Sequence, residues 1–197
     1  MFGSRTIKTL AALLAAMTAG AISLMVLEKA PLSPVPMVAP VVPATPDNIA
    51  EMVGNSKGVP LSTDQWHKII IHTTGCDEIL DIAKRCHFVI RTRPGSDDCT
   101  IEATDLWLKQ TPGRHVLVTG FDHNFDSIAV CMEGDFAQTP PTRAQFDALV
   151  KLVQTLQETF GIGPSKVYLH RDVDARSKSP GDAFPADKFT DSLSRPR

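Results

Sequence analysis

The chain has 197 residues, with 20 Lys+Arg against 22 Asp+Glu, a formal net charge of −2, 43% hydrophobic and 21% charged residues. That is ordinary globular composition, which excludes wholesale disorder and a polytopic membrane protein. There is no basic surplus to hold a phosphate backbone, so no nucleic-acid partner is expected.

Residues 9–27 form a run of 19 without a charged side chain. As a helix rising about 1.5 Å per residue, the run matches the hydrocarbon thickness of a bilayer. Arg5 and Lys8 precede it and orient the N-terminus toward the cytoplasm. It reads as a transmembrane anchor, or as a signal peptide cut at Ala19-Gly20-Ala21. The apolar run continues through Ile22, Leu24, Met25, Val26 and Leu27, which favours the uncleaved anchor. Pro31, Pro34, Pro36, Pro40, Pro43 and Pro46 then predict an extended spacer. The expected organisation is a cytoplasmic stretch 1–8, the anchor or signal helix 9–27, a Pro-rich linker and lead-in 28–64, and a domain 65–193. That domain is expected outside the cytoplasm, in the periplasm or cell wall, and secreted if the N-terminal segment is cleaved. Without residues 1–46 the chain keeps 17 positive and 21 negative charges and is long enough for one well-buried core.

Within the domain, residues 47–53 predict a short helix. Ile69-Ile70-Ile71 reads as a strand buried on both faces. Residues 77–85 predict a short helix with Ile79, Leu80, Ile82 and Ala83 on its apolar side. Residues 87–91 predict a second strand, ended by Pro94-Gly95, with 100–104 as its hairpin partner. Strands are expected at 116–119 and at 127–132, the latter closed by Gly134. Thr142 and Gln145 make a capping box. Ala148, Leu149, Leu152, Val153, Leu156 and Phe160 then recur at helical spacing, and Gly161 is a natural stop. A last strand is expected at 167–169, and Pro185 opens a short terminal helix. Strands and helices mix without strict alternation. The fold class expected is α/β: a single domain with a central mixed β-sheet flanked by helices, preceded by the transmembrane or signal helix.

His72 ends the triple-Ile strand and His170 ends the strand at 167–169. Loops beyond strand ends build the sites of open α/β sheets, so these two are candidates to converge on one metal. His115 and His123 flank the 127–132 strand as further ligands or groove residues, and His87 opens a strand. Taken singly, each histidine also suits a hydrogen-bonded structural role. Cys76, Cys86, Cys99 and Cys131 lie in a domain expected to be exported, which makes disulfides plausible. Cys76 with Cys99 or Cys86 is the preferred pairing, while Cys131 sits mid-strand as a buried thiol.

The ordered set Ile69-Ile-Ile-His72-Thr-Thr-Gly, His87-Phe-Val-Ile, Gly113-Arg-His115, Asn124-Phe-Asp-Ser127-Ile-Ala-Val-Cys-Met-Glu-Gly and His170-Arg-Asp-Val…Ser179-Pro-Gly spans roughly residues 66–190. Together these segments resemble the zinc-dependent N-acetylmuramoyl-L-alanine amidases and peptidoglycan recognition proteins, the group with the phage lysozyme-type amidase domain. The resemblance implies cleavage of the N-acetylmuramoyl–L-alanine amide of peptidoglycan by a zinc-activated water, with peptidoglycan or muropeptides as partner; a monomer is expected. It implies His72 and His170 as zinc ligands, Ser179 at the third ligand position, and His115 and Asn124 as substrate-binding residues. It implies Lys178 as the catalytic residue that steadies the oxyanion. The family carries Cys or Asp where this chain has Ser179, and a serine hydroxyl is a much poorer ligand, so Zn²⁺ binding is expected to be weak or absent. The family's Tyr before His-Phe is Cys86 here, and the segment between His72 and His87 is short. The alternative is a peptidoglycan-binding recognition domain, anchored to the membrane, that does not cut.

Overall fold

The computed structural model describes residues 48–54, 58–75, 82–93, 95–118 and 122–193. The expected N-terminal helix at 9–27, the Pro-rich spacer, most of the helix expected at 77–85, and Cys76 lie outside these residues. Among the described residues, no helix is long and apolar enough to cross a membrane.

Five strands form one mixed sheet: β1 (Lys68–Thr73), β2 (Phe88–Thr92), β3 (Cys99–Ala103), β4 (Ser127–Met132) and β5 (Val167–Leu169), in the order β3-β2-β4-β1-β5. β1, β2, β4 and β5 run parallel, and β3 returns antiparallel on β2 as the expected hairpin. The helices are α1 (Ile49–Gly54), α2 (Asp105–Leu108), α3 (Arg143–Phe160), α4 (His170–Val173) and α5 (Ala186–Asp191), with 3-10 turns at Ile82–Lys84 and Pro164–Lys166.

Side chains alternate across a strand, so each strand sends one set to each face. Ile69 and Ile71, Phe88 and Ile90, and Ile128, Val130 and Met132 meet Leu149, Leu152, Val153 and Leu156 of α3 in the main core. The expected capping box holds: Thr142 Oγ1 accepts from the Gln145 N–H and Gln145 Oε1 accepts from the Thr142 N–H. Gly161 ends the helix at φ 64°, left-handed backbone that a glycine adopts without penalty. Ile49 and Val53 of α1 join the same core, so packed structure begins upstream of residue 65.

The opposite face carries a smaller apolar cluster of Ile82, Cys86, Val89, Ala129 and Cys131. His72 shares that face, because it is registered with Cys131 on β4. Cys86, Cys99 and Cys131 form no disulfide with one another. The strand expected at 116–119 is not formed by the described residues 116–118. Val116 gives its N–H to the Asn124 side chain, at 2.9 Å, in place of a neighbouring strand.

Candidate functional site

The C-terminal end of β1 brings three imidazoles together. The His72 and His170 rings lie 4.3 Å apart between centroids, and His72 and His115 5.0 Å. His72 is delivered by a strand. His170 is delivered by the step from β5 into α4, where Asp172 Oδ2 accepts the Leu169 N–H at 2.9 Å. His115 is delivered by the segment after Gly113. A β-carbon at Gly113 would stand 2.3 Å from the Arg85 carbonyl oxygen, so only glycine lets this segment lie so close. The three rings are buried at 0%, 6% and 4% exposure, and a charged imidazole is disfavoured there. Burial holds His72 well below the ordinary histidine range, with His115 and His170 adding to the effect. Burial does the same to His115, helped by His87, His170 and His123.

The hydrogen bonds assign the protons. Ser127 Oγ donates to the His123 carbonyl, so it can only accept from His115 Nε2, 3.1 Å away. His115 Nδ1 is then an acceptor and receives the His72 Nε2 hydrogen at 3.0 Å. His72 Nδ1 is left as a bare lone pair, buried and without a hydrogen bond. A second-shell acceptor that fixes the tautomer of one imidazole is the usual companion of a metal-ligating histidine. On the other side, His170 Nδ1 lies 3.0 Å from Ser177 Oγ, with its Nε2 buried.

The loop after α4 completes the site. It folds back through the Arg171 N–H to the Ser179 carbonyl and Arg171 Nη1 to the Gly181 carbonyl. Ser177 and Ser179 face inward, while Lys178 between them is exposed. Ser179 Oγ accepts the Thr73 N–H at 2.9 Å. Thr73 Oγ1 lies 3.4 Å from both the Ser179 Oγ and the Pro180 carbonyl. The Ser179 hydroxyl is thus held against β1, by the Thr73 N–H and by its contact with Thr73 Oγ1. The nearby carboxylates are also engaged elsewhere or point outward. Asp174 pairs with Arg176, whose hydrogen bonds hold the acid down to about 2. Asp172 caps α4, and Asp182 is exposed. Among the described residues, no group of three His, Cys, Asp or Glu side chains is placed to hold a metal ion.

Of the residues expected in the site, His72, His115, His170 and Ser179 are brought together. Asn124 is occupied with backbone: Oδ1 accepts the His115 and Val116 N–H groups and Nδ2 donates to the Val116 carbonyl. It shapes the His115 segment. Ser127, Ser177 and Thr73 were not foreseen, although Ser177 stands two residues before Ser179 and extended chain puts such a pair on one side. His87 is structural. Its Nδ1 accepts the Ala129 N–H and its Nε2 donates to the Thr111 carbonyl, and burial lowers it to about 4.

A parallel-centred sheet with paired histidines at its strand ends and a returning Ser-Pro-Gly loop defines an amidase-type domain. The chain belongs to the N-acetylmuramoyl-L-alanine amidase family (Amidase_2), whose model matches residues 62–182, more than half of its length. Solved structures of similar fold include the endolysin amidase LysCS of Clostridium intestinale URNW, at 23% identity and TM-score 0.52 over 69% of this chain and 90% of that one. Another is the amidase AmiD of E. coli in complex with anhydro-N-acetylmuramic acid-L-Ala-D-gamma-Glu-L-Lys, at 21% identity and TM-score 0.52 over 65% of this chain and 57% of that one. At such identities the likeness is one of fold. No curated protein sequence matches the chain.

Proposed function

We propose that this domain recognises peptidoglycan, seating a muropeptide against the face that carries His72, His115 and His170, and that it does so without cutting. The observation that carries the reading is the third donor position. A catalytic zinc takes three protein ligands and keeps a fourth position open for water. Two imidazoles suit such a metal. Ser179 does not: its hydroxyl is neutral, a poor zinc donor, and it already accepts the Thr73 N–H. Among the described residues the donor set falls short of a catalytic zinc site, and no hydrolytic step is derived from it. A buried acceptor such as His72 Nδ1 still needs a partner, because an unmet buried polar atom costs about 1–3 kcal/mol.

One observation favours the second reading, a zinc amidase. The relay from Ser127 through His115 turns the bare nitrogen of His72 in the sense that metal ligation requires. Incubation of the full chain with muropeptides, with and without added zinc, separates the two. Binding without release of free stem peptide supports recognition. Zinc-dependent release overturns it in favour of hydrolysis.

The proposal extends to location. Residues 9–27 hold the chain in a membrane, with the domain on the extracytoplasmic side where peptidoglycan lies. The N-terminus of the mature protein tests this: a start near Ile22 makes it a secreted protein instead.

A further inference from the structure

In this structure no ligand can touch the bare nitrogen of His72. The ring is wholly buried, and His115 and His170 beside it are buried too. Yet His72 Nδ1 is an acceptor without a hydrogen bond, a state that folded proteins keep rare. A donor from outside reaches that lone pair only after part of the surrounding shell has moved. Two segments flank the ring. One carries His170, 4.3 Å away between centroids, and the other carries His115, at 5.0 Å. Each is anchored on its own side. The His170 loop is closed by the Arg171 N–H on the Ser179 carbonyl at 2.9 Å and by Arg171 Nη1 on the Gly181 carbonyl at 3.1 Å, and Ser179 Oγ accepts from β1. The His115 segment is held by the side chain of Asn124, whose bonds to His115 and Val116 measure 2.9, 2.9 and 2.7 Å.

Arg176 joins the two segments. Its Nε and Nη2 donate to the two carboxylate oxygens of Asp174, each at 3.0 Å, and Nη2 also donates to the Leu117 carbonyl. The Asp174 N–H in turn donates to the His170 carbonyl at 2.9 Å, so the fork stands on the turn that carries His170. Its far end grips the residue two places after His115. The two ends differ in setting. Asp174 is buried, whereas the Arg176 side chain is 71% exposed and Leu117 is 66% exposed. A charged contact at the surface is weak and screened by salt. When it breaks, the guanidinium and the Leu117 carbonyl both pass to water, and no buried group is stranded. A structural bond of the interior has neither property.

We propose that Arg176 is a latch on the seam between these segments. Closed, it shuts the three imidazoles off from solvent. Released, it admits a ligand to His72 Nδ1, while Asn124 and the Thr73 N–H keep each segment in its own shape. The chemistry asks for arginine. A planar fork grips both oxygens of Asp174 and still has a hydrogen for the Leu117 carbonyl, which a lysine ammonium on its flexible stem does not match. The latch governs entry, so it stands whether the site then binds its ligand or cuts it.

The test reads access to His72 directly. Diethyl pyrocarbonate acylates a neutral imidazole nitrogen that it can reach, and peptide mass mapping of the full chain locates the adducts. At neutral pH the wild type is expected to react slowly at His72 and fast at His67, which is exposed. Arg176→Ala and Arg176→Lys are each expected to speed His72 at least tenfold. His67 should not change, and His87, buried on its own hydrogen bonds, should stay protected. Equal rates at His72 in the wild type and Arg176→Ala overturn the latch. So does a wild-type His72 that reacts as fast as His67, because the site is then open with Arg176 in place. Protection in Arg176→Lys equal to that of the wild type also overturns it, by making charge rather than the fork the cause. Should Arg176→Ala expose His87 as well, the fold has loosened, and Arg176→Lys alone decides.

Discussion

His72 gives its Nε2 hydrogen to Nδ1 of His115 across 3.0 Å, and this bond decides which nitrogen of His72 is bare. The direction follows from Ser127, whose only hydrogen is spent on the His123 carbonyl. Long-range ¹⁵N–¹H correlation spectra at neutral pH are expected to find His72 and His115 both as neutral Nε2–H tautomers. A His72 protonated at Nδ1 overturns the relay.

Ser179 is expected to limit metal affinity. Replacing it with a carboxylate adds a negative donor at a position already fixed by Thr73. Ser179→Asp should tighten zinc binding by roughly tenfold or more in a calorimetric titration. Wild-type affinity equal to that of the variant would remove Ser179 from the ligand position.

Acid should destabilise the fold through its buried histidines. His87 is held at about 4 in the folded chain against 6.5 as its ordinary value. The unfolded chain therefore takes up a proton first as pH falls. The contribution is present in full above about pH 6.5, is lost between there and about pH 4, and amounts to about 3 kcal/mol. His72 and His115, also lowered, act in the same direction. Urea midpoints measured across this range should fall with pH, and His87→Gln should flatten the slope. A midpoint that is flat from neutrality to about pH 4.5 contradicts the assignment.

Two stability tests separate core from site. Leu152 is fully buried against the sheet, so Leu152→Ala is expected to cost about 2–5 kcal/mol in denaturant titration. Gly113→Ala must push the chain off the Arg85 carbonyl and is expected to cost about 1–3 kcal/mol. The second variant should also shift the His115 ring signals, which Leu152→Ala should leave in place.

The sheet and the long helix are legible because contiguous β-branched runs and a capped 3.6-residue pattern have few alternative packings. Ile69-Ile70-Ile71 and Thr142 with Gln145 say where they belong without help from the rest of the chain. Residues 116–118 mislead for a definite reason: their apolar pattern suits a strand, yet a side chain, Asn124, takes the bonds a neighbouring strand would take. The imidazoles announce themselves by their position at strand ends. Their orientation does not, because it is set by Ser127 and Ser177, and a hydroxyl partner leaves no mark in spacing. The inward turn of Ser177 and outward turn of Lys178 depend on the loop returning to Arg171, a contact made only in three dimensions.

The ring of His87 has a consequence for folding fidelity. A slip of β2 by two residues along β4 would keep each apolar side chain on its own face, so the alternation of the strands does not forbid it. The imidazole does. Its Nδ1 meets the Ala129 N–H only in the observed alignment, while the same residue's backbone N–H meets the Ala129 carbonyl at 2.9 Å. After a slip, the Ala129 N–H would lose the imidazole and the Thr111 carbonyl would lose the Nε2 hydrogen, while the Ala129 carbonyl would only exchange one backbone N–H for another. One side chain thus acts as a locating pin, setting the half of the sheet that holds no site residue against the half that holds His72.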